Sequence, residues 1–329
     1  MGILQQAFHK GLQIVEPQHV GRIAQPLVGI GMHFEKETVG PERLGRMRHG
    51  GHEFAVAARL AARRAGALRQ RGVSPRLVIL RCGESEADGA YLRGALKRGA
   101  LCGVEVEVRT LPDTASRQQL LNAIDAVNVD STVHGCLLLR PLPPHLRDAE
   151  PEICDRLLPE KDVDGMTGTS AAGVYLGRPL GFAPCTAEAV TVLLEHYGVA
   201  CAEKRAVVIG RSPVVGRPAA MLLLARNATV TVCHTATADL PVVTREADII
   251  VSAAGAAGSL TVSHVRPGQT VIDVSVSWDA ARNAMVGDAE FDAVSAVVDA
   301  ITPVPGGVGA VTSAVLMRHV VLAAERGRK

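Results

Sequence analysis

The residues best suited to chemistry lie between 206 and 226, AVVIGRSPVVGRPAAMLLLAR. Val207, Val208 and Ile209 run straight into Gly210, Gly216 follows, and Pro218 then opens an apolar segment spaced like one face of a helix. A strand, a tight glycine turn and a helix N-terminus in that order cradle a phosphate. Backbone N–H groups and the positive end of the helix dipole face the anion, and glycine lets the backbone come close. The turn reads G-R-S-x-x-x-G instead of G-x-G-x-x-G, so by itself it also fits an ordinary βα turn of any α/β protein. Its cofactor-binding candidates are Gly210, Arg211, Ser212 and Gly216.

The following strand sharpens that reading. Residues 229–233, TVTVC, alternate in β-branched fashion and end at His234-Thr235-Ala236-Thr237. Folds that bind NAD place an acidic residue about 20 residues past the glycine turn, where it holds the ribose 2′-hydroxyl. None stands here. Arg211 in the turn, with Thr235 and Thr237 at the strand end, suits a 2′-phosphate and favours NADP over NAD.

The surroundings must position that turn, and composition limits what they are. A chain of 329 residues allows about two domains, and 47% hydrophobic against 21% charged residues supplies ample core. A net charge of +2, scattered basic residues and few aromatics speak against a nucleic-acid partner. Seven cysteines without a C-x-x-C pair predict neither structural zinc nor a disulfide framework, and place the protein in a reducing cytoplasm. No segment is expected to reach the ~20 apolar residues of a membrane span, and the first thirty residues lack the order of a secretory signal.

Residues 1–50 carry no sustained period and are expected to form an extension, with one short helix near the start. Helical spacing follows at 53–70, 88–101 and 116–127, with Ser116 as an N-cap. Strands are predicted at 76–82, 104–109 and 133–139, the last ending at Arg140-Pro141. A linking helix spans 187–197. After the glycine turn come strands at 249–253 and 270–274, then the loop 301–309, ITPVPGGVG, and a final helix over 311–324. Strands alternating with helices predict parallel α/β sheets.

Five stretches recur together in one family: PEKDVDG (159–165), PCTAEAV (184–190), GRSPVVGRP (210–218), VGDAEF (286–291) and ITPVPGGVGAVT (301–312). From about Gly50 to the C-terminus the chain closely resembles the bifunctional methylenetetrahydrofolate dehydrogenase/cyclohydrolase family. The resemblance implies two α/β domains flanking a cleft, the second a Rossmann-type parallel-sheet NADP domain at 166–309. The folate-binding catalytic domain takes 51–165 together with the final helix, 310–329. It further implies a tetrahydrofolate derivative as substrate, NADP as hydride acceptor, and a homodimer. In that family a Y-V-x-x-K-x-K pattern, the Gln of Q-L-P-L-P and the second Asp of K-D-V-D-G form the catalytic set.

Here the match departs from the family at the catalytic lysine. Tyr91 aligns with the tyrosine, and Gly83 and Gly103 fix the register on both sides. The lysine position is then Ala95, and Lys97 matches only the second lysine. Leu139 stands where the Gln belongs, Arg140 takes the neighbouring Leu, and Asp164 is retained. Losing one partner of a buried pair strands the other at about 1–3 kcal/mol, whereas replacing both by apolar groups is nearly neutral. Lys97 lies about 200° around a helix from Ala95 and should face elsewhere. Arg140, fixed in charge, is a poor proton shuttle but able to bind an anionic group.

The resemblance therefore assigns Tyr91 and Asp164 to catalysis, with Ala95 and Leu139 as lost positions. Tyr91, Asp164, Pro303, Gly306 and Gly307 are the expected substrate contacts. Gly210, Arg211, Ser212, Gly216, Thr235 and Gly309 are the expected cofactor contacts, and no metal site is expected. The expected activity is an NADP-dependent oxidoreductase interconverting 5,10-methylene- and 5,10-methenyltetrahydrofolate, with cyclohydrolase weak or absent. The alternatives are a remodelled one-carbon enzyme of a specialised pathway or a catalytically silent folate- or NADP-binding partner.

Overall fold

The computed structural model describes residues 51–84 and 86–327. The extension 1–50 and its expected short helix lie outside them. In the first half, apolar runs too short for helices become strands, and the longer helix-forming runs return the chain for the next strand. α1 (Gly51–Arg69), β1 (Arg76–Cys82), α2 (Glu86–Cys102), β2 (Glu105–Leu111), α3 (Arg117–Val129) and β3 (Gly135–Leu138) follow in order. They build a three-stranded parallel sheet in the order β2-β1-β3. Leu77 to Leu80 are completely buried at its centre. Ser116 caps α3 as its sequence predicts: its Oγ accepts from Gln119 N, and the Gln119 side chain accepts from Ser116 N.

After α4 (Glu150–Asp155) and α5 (Gly168–Leu176), α6 (Cys185–His196) leads into the second half. There β4 (Arg205–Ile209), α7 (Gly216–Leu224), β5 (Thr229–Cys233), α8 (Leu240–Arg245), β6 (Ile249–Ser252) and β7 (Thr270–Asp273) alternate. β8 (Ser277–Asp279), β9 (Ala284–Val286), α9 (Phe291–Ser295), β10 (Ala300–Ile301) and α10 (Val308–Arg326) close the chain. The five-stranded sheet is parallel, in the order β10-β7-β6-β4-β5. The β8–β9 hairpin, which the sequence reading lacks, pairs Trp278 with Met285.

Both halves of this two-domain α/β fold meet α10. This 19-residue helix is apolar and long enough to pass for a membrane span, contrary to the expectation that no segment would. Its apolarity serves the interior instead. Val311, Ala314, Met317 and Val320 are buried, and the helix packs on α1, α2 and α6. α10 starts at Val308, three residues before the expected position, and α7 starts at Gly216 with Pro218 inside its first turn, where a missing N–H is harmless.

Candidate active site

The site is assembled at the C-terminal ends of the parallel strands, where open α/β sheets bind ligands. At the end of β4 the chain turns through Gly210, whose φ of 120° lies in the region that favours glycine. A Cβ on Gly210 would fall 2.2 Å from Ala253 O, and one on Gly216 would fall 2.2 Å from Gly210 O. Only glycines allow this closure. Ser212 Oγ accepts from Val215 N and Gly216 N, both at 3.2 Å, and shapes the turn at the start of α7. Arg211 and Thr235 present exposed side chains at adjacent strand ends, while Thr237 Oγ1 is engaged by His234 N at 2.9 Å. This cradle fits a dinucleotide phosphate.

A second set of residues stands at the ends of β1 and β3. Tyr91, on α2, is 43% exposed. Burial around its hydroxyl and the nearby Asp164 carboxylate push its phenol above the ordinary range. Ala95 follows one turn later and is 3% exposed, while Lys97 faces solvent. Leu139 continues β3 as a half-buried residue, its N donating to Leu80 O at 2.9 Å. Asp164 is pushed up to about 6 by burial, against the opposing pull of Arg140. Arg140 Nη1 stands 3.8 Å from Glu150 and Nη2 3.7 Å from Asp164, so this guanidinium already faces two carboxylates.

The loop after β10 supplies the third set. Gly306 has a φ of 102°, and a Cβ on Gly307 would fall 2.4 Å from Pro303 O. Gly307 caps α10. Gly309 has open space around its Cβ position, so no close approach explains a glycine there. Two buried carboxylates hold the surrounding loops. Asp273, at the end of β7, accepts from Asp288 N at 3.1 Å and Ala289 N at 2.8 Å, and burial raises it to about 6. Asp288 accepts from Ser252 Oγ, Ala254 N, Ala256 N and Ser275 Oγ at 2.8–2.9 Å. It thereby fixes the loop after β6, next to the glycine turn.

Two family models of tetrahydrofolate dehydrogenase/cyclohydrolase match the chain, the catalytic domain over residues 51–164 and the NAD(P)-binding domain over 184–328. The chain belongs to the tetrahydrofolate dehydrogenase/cyclohydrolase family. It is 45% identical over 259 residues to the bifunctional protein FolD of Carboxydothermus hydrogenoformans, covering 78% of this chain and 90% of that one. The FolD structure from Campylobacter jejuni superposes with a TM-score of 0.81 at 36% identity, over 84% of this chain and 98% of that chain. The Trypanosoma brucei methylenetetrahydrofolate dehydrogenase-cyclohydrolase, solved with NADP cofactor and an inhibitor, gives 0.79 at 32% identity, over 84% and 96%.

The sequence reading missed the residues behind Asp164 in this tetrahydrofolate dehydrogenase/cyclohydrolase chain. Cys185, the first residue of α6, donates its thiol to Val163 O at 3.2 Å. His319 on α10 places Nδ1 2.8 Å from Val163 O and Nε2 2.8 Å from Glu188 Oε2. Arg318 pairs with the other oxygen of Glu188. Burial alone would raise Glu188, but Arg318 and His319 prevail and hold it down at about 2. The available signal was the charged triplet Glu188, Arg318 and His319 on helix faces that are otherwise apolar.

Proposed function

We propose that the protein is an NADP-dependent oxidoreductase that interconverts 5,10-methylene- and 5,10-methenyltetrahydrofolate, with little or no cyclohydrolase activity. One observation carries the reading. The cofactor cradle and Asp164 are kept, while both members of the proton-transfer pair are apolar, Ala95 and Leu139. Gly210, Ser212 and Gly216 would hold the pyrophosphate, and Arg211 with Thr235 the 2′-phosphate. Bound NADP supplies the hydride acceptor.

The chain's own contribution is position. The ionised Asp164 accepts from the N–H edge of the pterin, and Tyr91 lies against it at the mouth of the site. The loop 302–307 shapes the space in which the two rings face each other. As the hydride leaves the folate methylene carbon, an adjacent nitrogen lone pair completes the methenyl cation, so this step needs no proton donor. Opening the methenyl ring does: water must lose a proton and the departing nitrogen gain one. General acid–base groups give such steps ~10²–10⁴-fold, and neither Ala95 nor Leu139 can move a proton.

The reading includes a cytoplasmic homodimer and a first domain formed by 51–165 together with 310–329. The packing of α10 on α1 and α2 supports that domain division. The experiment is to mix methylenetetrahydrofolate and NADP with the protein and follow reduced-nicotinamide absorbance. Enzyme-dependent reduction is expected. Its absence, with both ligands bound, would favour the silent folate- and NADP-binding partner.

A further inference from the structure

We propose that His319, held from behind by Glu188, is a positioning residue for Asp164 and so sets the affinity of the folate pocket. This rests on the folate reading above. Among the described residues no backbone N–H donates to the Asp164 carboxylate. Arg140 stands at 3.7 Å, beyond hydrogen-bond length, on one side. On the other side the peptide carrying Asp164 is tied down at Val163 O, which receives the Cys185 thiol at 3.2 Å and His319 Nδ1 at 2.8 Å.

A carbonyl oxygen only accepts, so Nδ1 is the donor there. At the opposite end of the ring Nε2 meets the Glu188 carboxylate at 2.8 Å. Partners at both ends of the ring fix its plane. Phe182 packs against it with ring centroids 4.7 Å apart, and His319 is 2% exposed. Glu188 in turn is clamped by Arg318. The result is a rigid strut from α6 through α10 to the residue before Asp164. It crosses 156 residues of sequence between Val163 and His319. α10 also begins directly after the loop 302–307, so the helix that carries His319 continues from that loop.

The test is calorimetric titration of tetrahydrofolate and, separately, NADP into the wild type and the variants His319→Leu, His319→Asn and His319→Gln. The Asn amide can reproduce the Nδ1 donor to Val163 O, and the Gln amide reproduces only Nε2. His319→Leu and His319→Gln are expected to weaken tetrahydrofolate about tenfold, the equivalent of one lost hydrogen bond. His319→Asn should recover most of that loss, and NADP affinity should change in none of them. In turnover the change should fall on KM for folate, with kcat retained. If His319→Leu fails to fold, the Asn and Gln pair decides. Equal tetrahydrofolate affinity for Asn and Gln, or a parallel loss of NADP affinity, would overturn the proposal. A wild type that binds no tetrahydrofolate would sink the folate reading and this inference together, whereas wild-type binding unchanged in all variants sinks the inference alone.

Discussion

Arg140 Nη2 lies 3.7 Å from Asp164 Oδ2, close enough for charge to act and too far for a hydrogen bond. The guanidinium also faces Glu150, so it is balanced by carboxylates and serves Asp164 better than it would serve an anionic substrate. Burial raises Asp164 to about 6 and Arg140 pulls it back. On the proposed role of Asp164, in which the ionised carboxylate accepts from the pterin, kcat/KM for folate should fall below about pH 6. In Arg140→Leu the acid limb should move up by about one pH unit. An unchanged limb in pH–rate profiles would separate Arg140 from Asp164.

Cyclohydrolase activity should be restorable only in pairs. Position 95 is 3% exposed, so a lysine placed there alone has a buried ammonium without its partner. Ala95→Lys should therefore hydrolyse methenyltetrahydrofolate hardly faster than buffer. Ala95→Lys with Leu139→Gln should gain at least about tenfold, a part of the ~10²–10⁴-fold that acid–base groups supply. The measurement is loss of methenyl absorbance against the uncatalysed rate. Efficient hydrolysis by the wild type would mean that another residue has taken over the work.

Glu188→Gln should destabilise the fold by about 3 kcal/mol, because it leaves the largely buried Arg318 without its anion. The sign of the pH dependence follows from a carboxyl held at about 2 against its ordinary 4.5. Its stabilisation is present above 4.5 and is lost as pH falls toward 2. Denaturant titrations of the two proteins should thus differ at pH 7 and converge in acid.

Gly216→Ala should disable the cofactor turn. The added methyl would meet Gly210 O at 2.2 Å, and a backbone oxygen in a closed turn has little room to retreat. NADP affinity should drop by more than about tenfold with tetrahydrofolate affinity unchanged. Loss of both affinities together would point to a general folding defect.

Arg211→Ala tests the choice between the two nicotinamide cofactors. Arg211 is exposed at the turn and has no competing acidic residue at the end of β5. KM for NADP should rise about tenfold while KM for NAD stays near its wild-type value, as expected for loss of one charged contact to a phosphate. Equal changes in both would remove Arg211 from the 2′-phosphate site.

Much of this architecture is local chemistry and is written in the sequence. β1 and β5 begin and end where their β-branched and apolar runs do, at Arg76–Cys82 and Thr229–Cys233. Ser116 caps α3 because its hydroxyl reaches a helix N–H three residues on. The proposed departures at Ala95 and Leu139 also come from the sequence, through its resemblance to the family pattern in the register of Tyr91, Gly83 and Gly103. The β8–β9 hairpin escaped notice because strands of three residues show no alternation to read. The start of α10 escaped because Gly307 and Gly309 argue against a helix that packing on α1 and α6 enforces.

Partnership across the chain was decided by tertiary structure alone. Glu188 and His319 are 131 residues apart, Cys185 and His319 134, and Ser252 and Asp288 36. Each residue taken singly reads as an ordinary polar group on a helix or loop. Propensity acts over a few residues, so it fixes where strands and helices lie. Which side chains meet depends on how those elements pack, and the return of α10 to α1, α2 and α6 is what sets His319 beneath Asp164.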